Sequence, residues 1–216
     1  MKICIPIKAK NIAEAKKQIT RALRHADLIE IWLDDIWKFG AAEIRKIIKF
    51  CKVPVIAVCR SGNEKKRIEI LKKAVLGGAK FVDIDLHTNK WSIQELKNIC
   101  KKRGAKLIIS RHIWDKTPEL PILSGMFKSA KKLGADIVKI ATQATNWSDN
   151  AVLFEFVSRV SSKSCKIIAI GMGERGKISR IGCPLLGSYL TYVALDEKSR
   201  TANGQLTVKE FLCLCK

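Results

Sequence analysis

Gly134-Ala135-Asp136-Ile137-Val138-Lys139-Ile140-Ala141 reads as the end of a helix followed at once by a short buried strand. A glycine after a lysine-rich amphipathic stretch is the usual helix C-cap. From there to the polar Thr142-Gln143 the residues are apolar except Asp136 and Lys139. Apolar surroundings disfavour an ammonium and pull its pKa down, toward the neutral amine that can attack a carbonyl. The same pattern also admits an edge-strand lysine whose stem lies on apolar surface while its head reaches water.

The helix-to-strand unit recurs along the chain. β-Branched runs predict strands at residues 2–7, 28–33, 53–59, 81–86, 106–110, 136–141, 166–170 and 188–194. Lysine-rich stretches with helical spacing lie between most of them, at 13–25, 41–51, 64–76, 93–103, 122–133 and 149–161, with 208–214 as an eighth helix. Gly78-Ala79 and Gly104-Ala105 repeat the Gly134-Ala135 closure. Strand–helix alternation implies parallel strands with crossover helices. Eight units without a Pro/Gly/Ser-rich linker point to an α/β fold, a (β/α)8 TIM barrel, as one domain spanning 1–216.

Composition sets outer bounds. The 216 residues suffice for one well-cored domain, and no apolar run approaches the roughly 20 residues that span a bilayer. The start, Met1-Lys2-Ile3-Cys4-Ile5-Pro6-Ile7, reads as a strand and not as a signal peptide. Eight cysteines without CxxC spacing fit buried free thiols in a cytoplasmic protein. The net charge of +21 suggests a polyanion partner, yet the lysines are spread over nearly every helix, as solvated outer faces would be. No nucleic-acid or membrane partner is expected; an anionic substrate gains from the field, and a homodimer is expected from the commonness of symmetric pairs.

Chemistry in such barrels sits at the C-terminal ends of the strands. The polar residues there are Glu30 and Asp34 after strand two, Arg60 after three, and Asp83, Asp85 and His87 on four. Ser110, Arg111 and His112 follow on five, Lys139 on six and Arg180 after seven. The polar segment 196–205 after strand eight is suited to act as a lid. A lysine, a histidine on the neighbouring strand and several arginines suggest an imine with a ketone, a proton carrier beside it and cations for a carboxylate. A core histidine with satisfied nitrogens is the plain alternative for His112.

At these residues the sequence resembles the type I 3-dehydroquinate dehydratases, the Schiff-base dehydroquinases of the shikimate pathway. The resemblance runs through Ile29-Glu30-Ile31-Trp32-Leu33-Asp34 and through Val55–Arg60 with Glu64 four residues on. It continues in Ile108-Ile109-Ser110-Arg111-His112 with Thr117-Pro118, and in the Gly134–Ala141 lysine strand. Met172-Gly173, Gly176, Ile178-Ser179-Arg180, Gly187-Ser188, Leu190-Thr191 and Gly204-Gln205 complete it. The resemblance implies a hydro-lyase in which Lys139 forms an imine with 3-dehydroquinate and His112 moves the protons. It implies that Arg180 binds the carboxylate, that Glu30, Arg60 and Gln205 hold ring hydroxyls, and that Glu64 supports His112 or Lys139. Ile31, Trp32 and Thr201 fall among the substrate-contacting positions, and Met172, Trp114 and Tyr192 among the apolar walls. No metal and no organic cofactor is implied.

Two departures stand out. Trp32 replaces the family's arginine, removing a cation from the substrate site, and Ile113 replaces the aspartate that follows the histidine. Thr201 and Asn203 replace a serine and a proline of the lid. These changes keep two other readings open: a barrel acting on a different keto acid, or a catalytically silent barrel that binds anions or RNA. Gly171-x-Gly173-x-x-Gly176 matches the dinucleotide fingerprint, but residues 178–184 read as loop, with no helix opening on the match. Asp83, Asp85 and His87 share one strand face at a spacing a divalent metal could use, whereas the family reading leaves them without one.

Overall fold

Asparagines and glycines punctuate the chain where helices begin and end. In the computed structural model, which describes residues 1–34, 40–161 and 165–215, β1 (Ile3–Ile7) leads to α1 (Ile12–Ala22), β2 (Leu28–Trp32), α2 (Ala41–Phe50), β3 (Val55–Val58), α3 (Glu64–Gly77), β4 (Phe81–Asp85) and α4 (Lys90–Arg103). The chain continues with β5 (Lys106–Ile113), α5 (Leu120–Lys132), β6 (Ile137–Gln143), α6 (Asp149–Val160), β7 (Lys166–Met172), α7 (Ser179–Leu185), β8 (Thr191–Tyr192) and α8 (Val208–Leu214). Asn11, Asn63 and Asn89 accept the orphan backbone N–H groups of Glu14, Lys66 and Trp91 at the heads of α1, α3 and α4. Gly78 and Gly104 close α3 and α4 with φ of +110° and +64°, a region costly for a residue with a Cβ.

The strands form one sheet in the order β7-β6-β5-β4-β3-β2-β1-β8, and the fold is a (β/α)8 TIM barrel. The described chain groups into two compact units, Cys4–Ile108 and Met1–Ile3 with Ile109–Lys216, with the division inside β5.

In the first unit β1 pairs in parallel with β2, with Ile7 opposite Ile31, and β2 pairs with β3, with Trp32 opposite Val58. Period-two alternation puts Glu30 and Trp32 on one face of β2 and Ile29 and Ile31 on the other. Ile5, Ile7, Ile29, Ile31 and Ile56 are fully buried. In the second unit β6 and β7 pair over seven residues, from Ile137 opposite Lys166 to Gln143 opposite Met172. β8 is shorter than the expected 188–194: Ser188 spends its hydroxyl on Ala169 N, and Ala194 instead bridges to Thr207 ahead of α8.

The expected loop at 178–184 is corrected: Ser179–Leu185 is helical, with Pro184 inside it. Packing overrides local propensity here, since Arg180 and Cys183 are buried and the Ser179 hydroxyl accepts from Gly171 N at 2.7 Å and donates to Gly176 O at 2.6 Å. A helix therefore does follow the glycine fingerprint, but its glycines serve packing. A Cβ on Gly176 would lie 2.4 Å from the Gly171 carbonyl carbon, so the two backbones meet where a phosphate would have to enter. Among the described residues no helix is long and apolar enough to cross a membrane.

Candidate active site

Lys139 lies mid-strand on β6, opposite Ile168 of β7, and only 6% of it is exposed. Its Nζ donates to the Tyr192 hydroxyl of β8 at 3.1 Å and stands 4.3 Å from that ring's centroid. Tyr192, expected only as an apolar wall, thus also fixes the position of the amine through its oxygen. Met172 ends β7 and is buried, as a wall residue would be. His112 is half-buried near the end of β5 and stacks on Trp114, with centroids 5.6 Å apart and planes 15° from parallel. Trp114 is 72% exposed, so it covers the imidazole from the solvent side and does not line an interior. Ile113, at the position where an aspartate was missed, is buried and alternates to the face of β5 opposite His112.

Arg180 comes from the first turn of α7 and is 2% exposed. Its Nη2 reaches the Asn203 carbonyl at 3.4 Å, and its buried Nε has no hydrogen-bond partner. Among the described residues no carboxylate pairs with it, and burial pulls its pKa from the ordinary arginine range down to about 10. A guanidinium so placed has unused donors in a planar fork, the geometry that binds a carboxylate bidentately.

The segment 196–205 lies folded against the turn after β7. Gly173 N donates to Asn203 O at 3.1 Å. Gly204, with φ of +70°, passes so close that a Cβ there would meet the Gly173 carbonyl oxygen at 2.1 Å. Gln205 is buried, and its Oε1 accepts from both the N–H and the hydroxyl of Thr201. Arg200 donates to both carboxylate oxygens of Glu210, at 3.1 and 2.9 Å, which ties the segment to α8. Thr201 therefore touches Gln205, and Asn203 touches Arg180.

In the other unit, Glu30 on β2 is buried and accepts from Trp32 Nε1 at 2.9 Å. Ile31 is fully buried on the opposite face, so its side chain is not brought to Glu30 and Trp32. Arg60 follows β3 and donates to Asp83 of β4 at 2.7 Å, where Asp83 is completely buried. Desolvation alone would lower the Arg60 pKa; the charge and hydrogen bond of Asp83, with Glu30 and Asp85 further off, outweigh it and raise the pKa. The Asp83–Asp85–His87 spacing is used otherwise than by a metal: Asp83 takes Arg60, and Asp85 takes the His87 backbone N–H. Asp34 accepts from the N–H groups of Arg60 and Ser61 and so shapes the turn after β3.

Glu64 opens α3, and both its oxygens are engaged at the head of α4, by the Ser92 hydroxyl at 2.7 Å and by Asn89 N at 3.2 Å. These bonds hold its pKa below the ordinary 4.5. One strand-end cation escaped the sequence reading. Lys8, just past β1, places its Nζ 5.3 Å from the centre of the Trp32 ring. Its place directly after a strand is the signal that the sequence offers.

The model of the type I 3-dehydroquinase family matches residues 3–214. The 3-dehydroquinate dehydratase of Methanococcus maripaludis is 35% identical over 218 residues, covering 96% of this chain and 95% of that protein. The chloroplastic bifunctional 3-dehydroquinate dehydratase/shikimate dehydrogenase of Arabidopsis thaliana is also 35% identical; the match covers 98% of this chain but 36% of that longer protein. The crystal structure of type I 3-dehydroquinate dehydratase from Clostridium difficile with covalent modified comenic acid superposes with a TM-score of 0.89 at 26% identity, covering 99% of this chain and 90% of that one.

Proposed function

The chain belongs to the type I 3-dehydroquinase family and is a 3-dehydroquinate dehydratase, a hydro-lyase of the shikimate pathway; from that premise we propose that it works through an imine on Lys139, with His112 as the proton carrier. The lysine amine adds to the ring ketone and water leaves, giving an iminium. His112 takes a proton from the adjacent carbon, and the electron pair of that C–H bond enters the enamine. The enamine then expels the β-hydroxyl as His112 returns its proton, so water departs. Hydrolysis of the conjugated iminium frees Lys139 and releases the enone, 3-dehydroshikimate. One water is lost overall.

The observation that carries the reading is Lys139 itself, an amine 6% exposed in the middle of a strand and held by a tyrosine hydroxyl. Arg180 is the group we assign to the substrate carboxylate, because its guanidinium is buried with donors to spare. Glu30, Arg60 and Gln205 take ring hydroxyls in this reading, and Trp32 and Thr201 flank them. Ile31 contributes through its backbone at most, given its buried side chain. Glu64 enters as a positioning residue, its carboxylate fixing the heads of α3 and α4 to each other. Stacking on Trp114 supports the orientation of the His112 imidazole. The eight free thiols suit a reducing cytoplasm, and a homodimer remains part of the proposal.

The test is turnover. Purified protein mixed with 3-dehydroquinate should generate the ultraviolet absorbance of a conjugated enone, and Lys139→Ala should not. Enone formation by Lys139→Ala at the unsubstituted rate would remove the imine from the mechanism. No enone from the unsubstituted protein would point to another keto acid.

A further inference from the structure

The end of β1 carries a cation that none of the roles above uses. Parallel pairing of Ile7 with Ile31 brings the next residues, Lys8 and Trp32, side by side at the C-terminal ends of β1 and β2. The Trp32 edge is fixed by its Nε1 bond to Glu30 Oε2, and its face receives the Lys8 ammonium at 5.3 Å. That separation lies within the roughly 6 Å over which a cation is attracted to an aromatic face. The three groups form a relay in which a buried carboxylate orients an indole and the indole stations an ammonium. Among the described residues no carboxylate pairs with Lys8, which is exposed. The charge removed when tryptophan occupies position 32 is thus present one strand away.

We propose that Lys8 is a substrate-binding residue, with Trp32 as its platform. Its ammonium donates a hydrogen bond to the oxygen of the ring hydroxyl whose hydrogen Glu30 accepts. The inference rests on the reading of the chain as a dehydratase of a polyhydroxylated keto acid, and it concerns binding only. Lys8 forms no bond with the reacting carbons, so its loss should raise KM and leave kcat nearly intact.

The direct test uses Lys139→Ala, which cannot turn over, so that the affinity for 3-dehydroquinate is an equilibrium quantity measurable by calorimetry. Adding Lys8→Met keeps the stem and removes the charge. The expected result is binding weakened by about tenfold or more, as for other hydrogen bonds to charged groups. Adding Trp32→Arg to that pair restores the cation from β2 and should recover most of the loss. In the otherwise unsubstituted protein, Lys8→Met should show the same factor in KM, an unchanged kcat and an unchanged unfolding midpoint. Unaltered affinity in Lys8→Met overturns the proposal, as does a loss in kcat with KM constant. Failure of Lys139→Ala to bind 3-dehydroquinate while Lys8 is intact would overturn the substrate assignment and this inference with it. An imine that cannot be trapped on Lys139 would strike the mechanism alone.

Discussion

Two arginines in this protein, one half-buried and one buried, have opposite electrostatic surroundings. Arg60, past β3, meets the fully buried Asp83, and the pair holds its proton more firmly than a free arginine does. Arg180, in α7, is more deeply buried and has only a carbonyl at 3.4 Å and an Nε without a partner, so burial lowers its pKa to about 10. A charge compensated within the protein serves the fold. A charge left uncompensated disfavours the fold and waits for an anion. The difference is our reason for proposing Arg180, and not Arg60, as the partner of the substrate carboxylate.

The sharpest way to break this comparison is Arg180→Met. It should lower kcat/KM for 3-dehydroquinate on the order of 10³-fold, the range for removing one partner of a buried charge pair. The ligand-free protein should unfold no earlier, because an unpaired buried charge is gone. A midpoint lowered by several degrees would mean that Arg180 is already satisfied by the fold. The converse substitution, Arg60→Met, removes the cation that meets the buried Asp83 and should destabilise by about 3 kcal/mol. Adding Asp83→Leu should return most of that stability, a coupling that chemical denaturation of the two single variants and the double variant measures.

A smaller effect separates the arginines by pH. The folded pKa of Arg180 lies below that of an ordinary arginine, so the ligand-free folded state sheds this proton first. The penalty of burying the charge is fully present below about 10 and is relieved as pH rises through that value. Substrate affinity should fall over the same interval in the unsubstituted protein and stay flat in Arg180→Met. Smallest of all is the acid response of Glu64. Its pKa is lowered in the folded state, so its contribution is present above 4.5 and is lost as pH falls through the folded value. Glu64→Gln should flatten the fall of the unfolding midpoint below that pH.

The same two regions differ in how far the sequence discloses them. The β6 lysine strand was legible because an apolar run between a helix-closing glycine and a polar pair leaves little alternative, and α8 was found at its observed limits, Val208–Leu214. The α7 helix around Arg180 was not. Gly182 and Pro184 signal loop, and what overrides them is the Ser179 hydroxyl bridging Gly171 and Gly176, a contact made only in three dimensions. The Arg60–Asp83 pair escaped for a similar reason: alternation put Asp83, Asp85 and His87 on one face but could not show that a neighbouring strand end supplies the counter-charge. Glu64 matched a motif, while its actual partners, Ser92 and Asn89, lie in the next helical unit. Lys8 carried no signal beyond its place after β1, since a cation resting on an indole face leaves no mark in spacing.

Intact-mass spectrometry after mixing the protein with 3-dehydroquinate and borohydride tests the central claim most directly, with Lys139→Ala alongside. The account predicts a stable adduct on Lys139 with the mass of the reduced, already dehydrated ligand, and none on Lys139→Ala. An adduct of undehydrated mass alone would contradict the assignment of proton transfer to His112. Enone formation with no adduct at any borohydride concentration would contradict the imine itself.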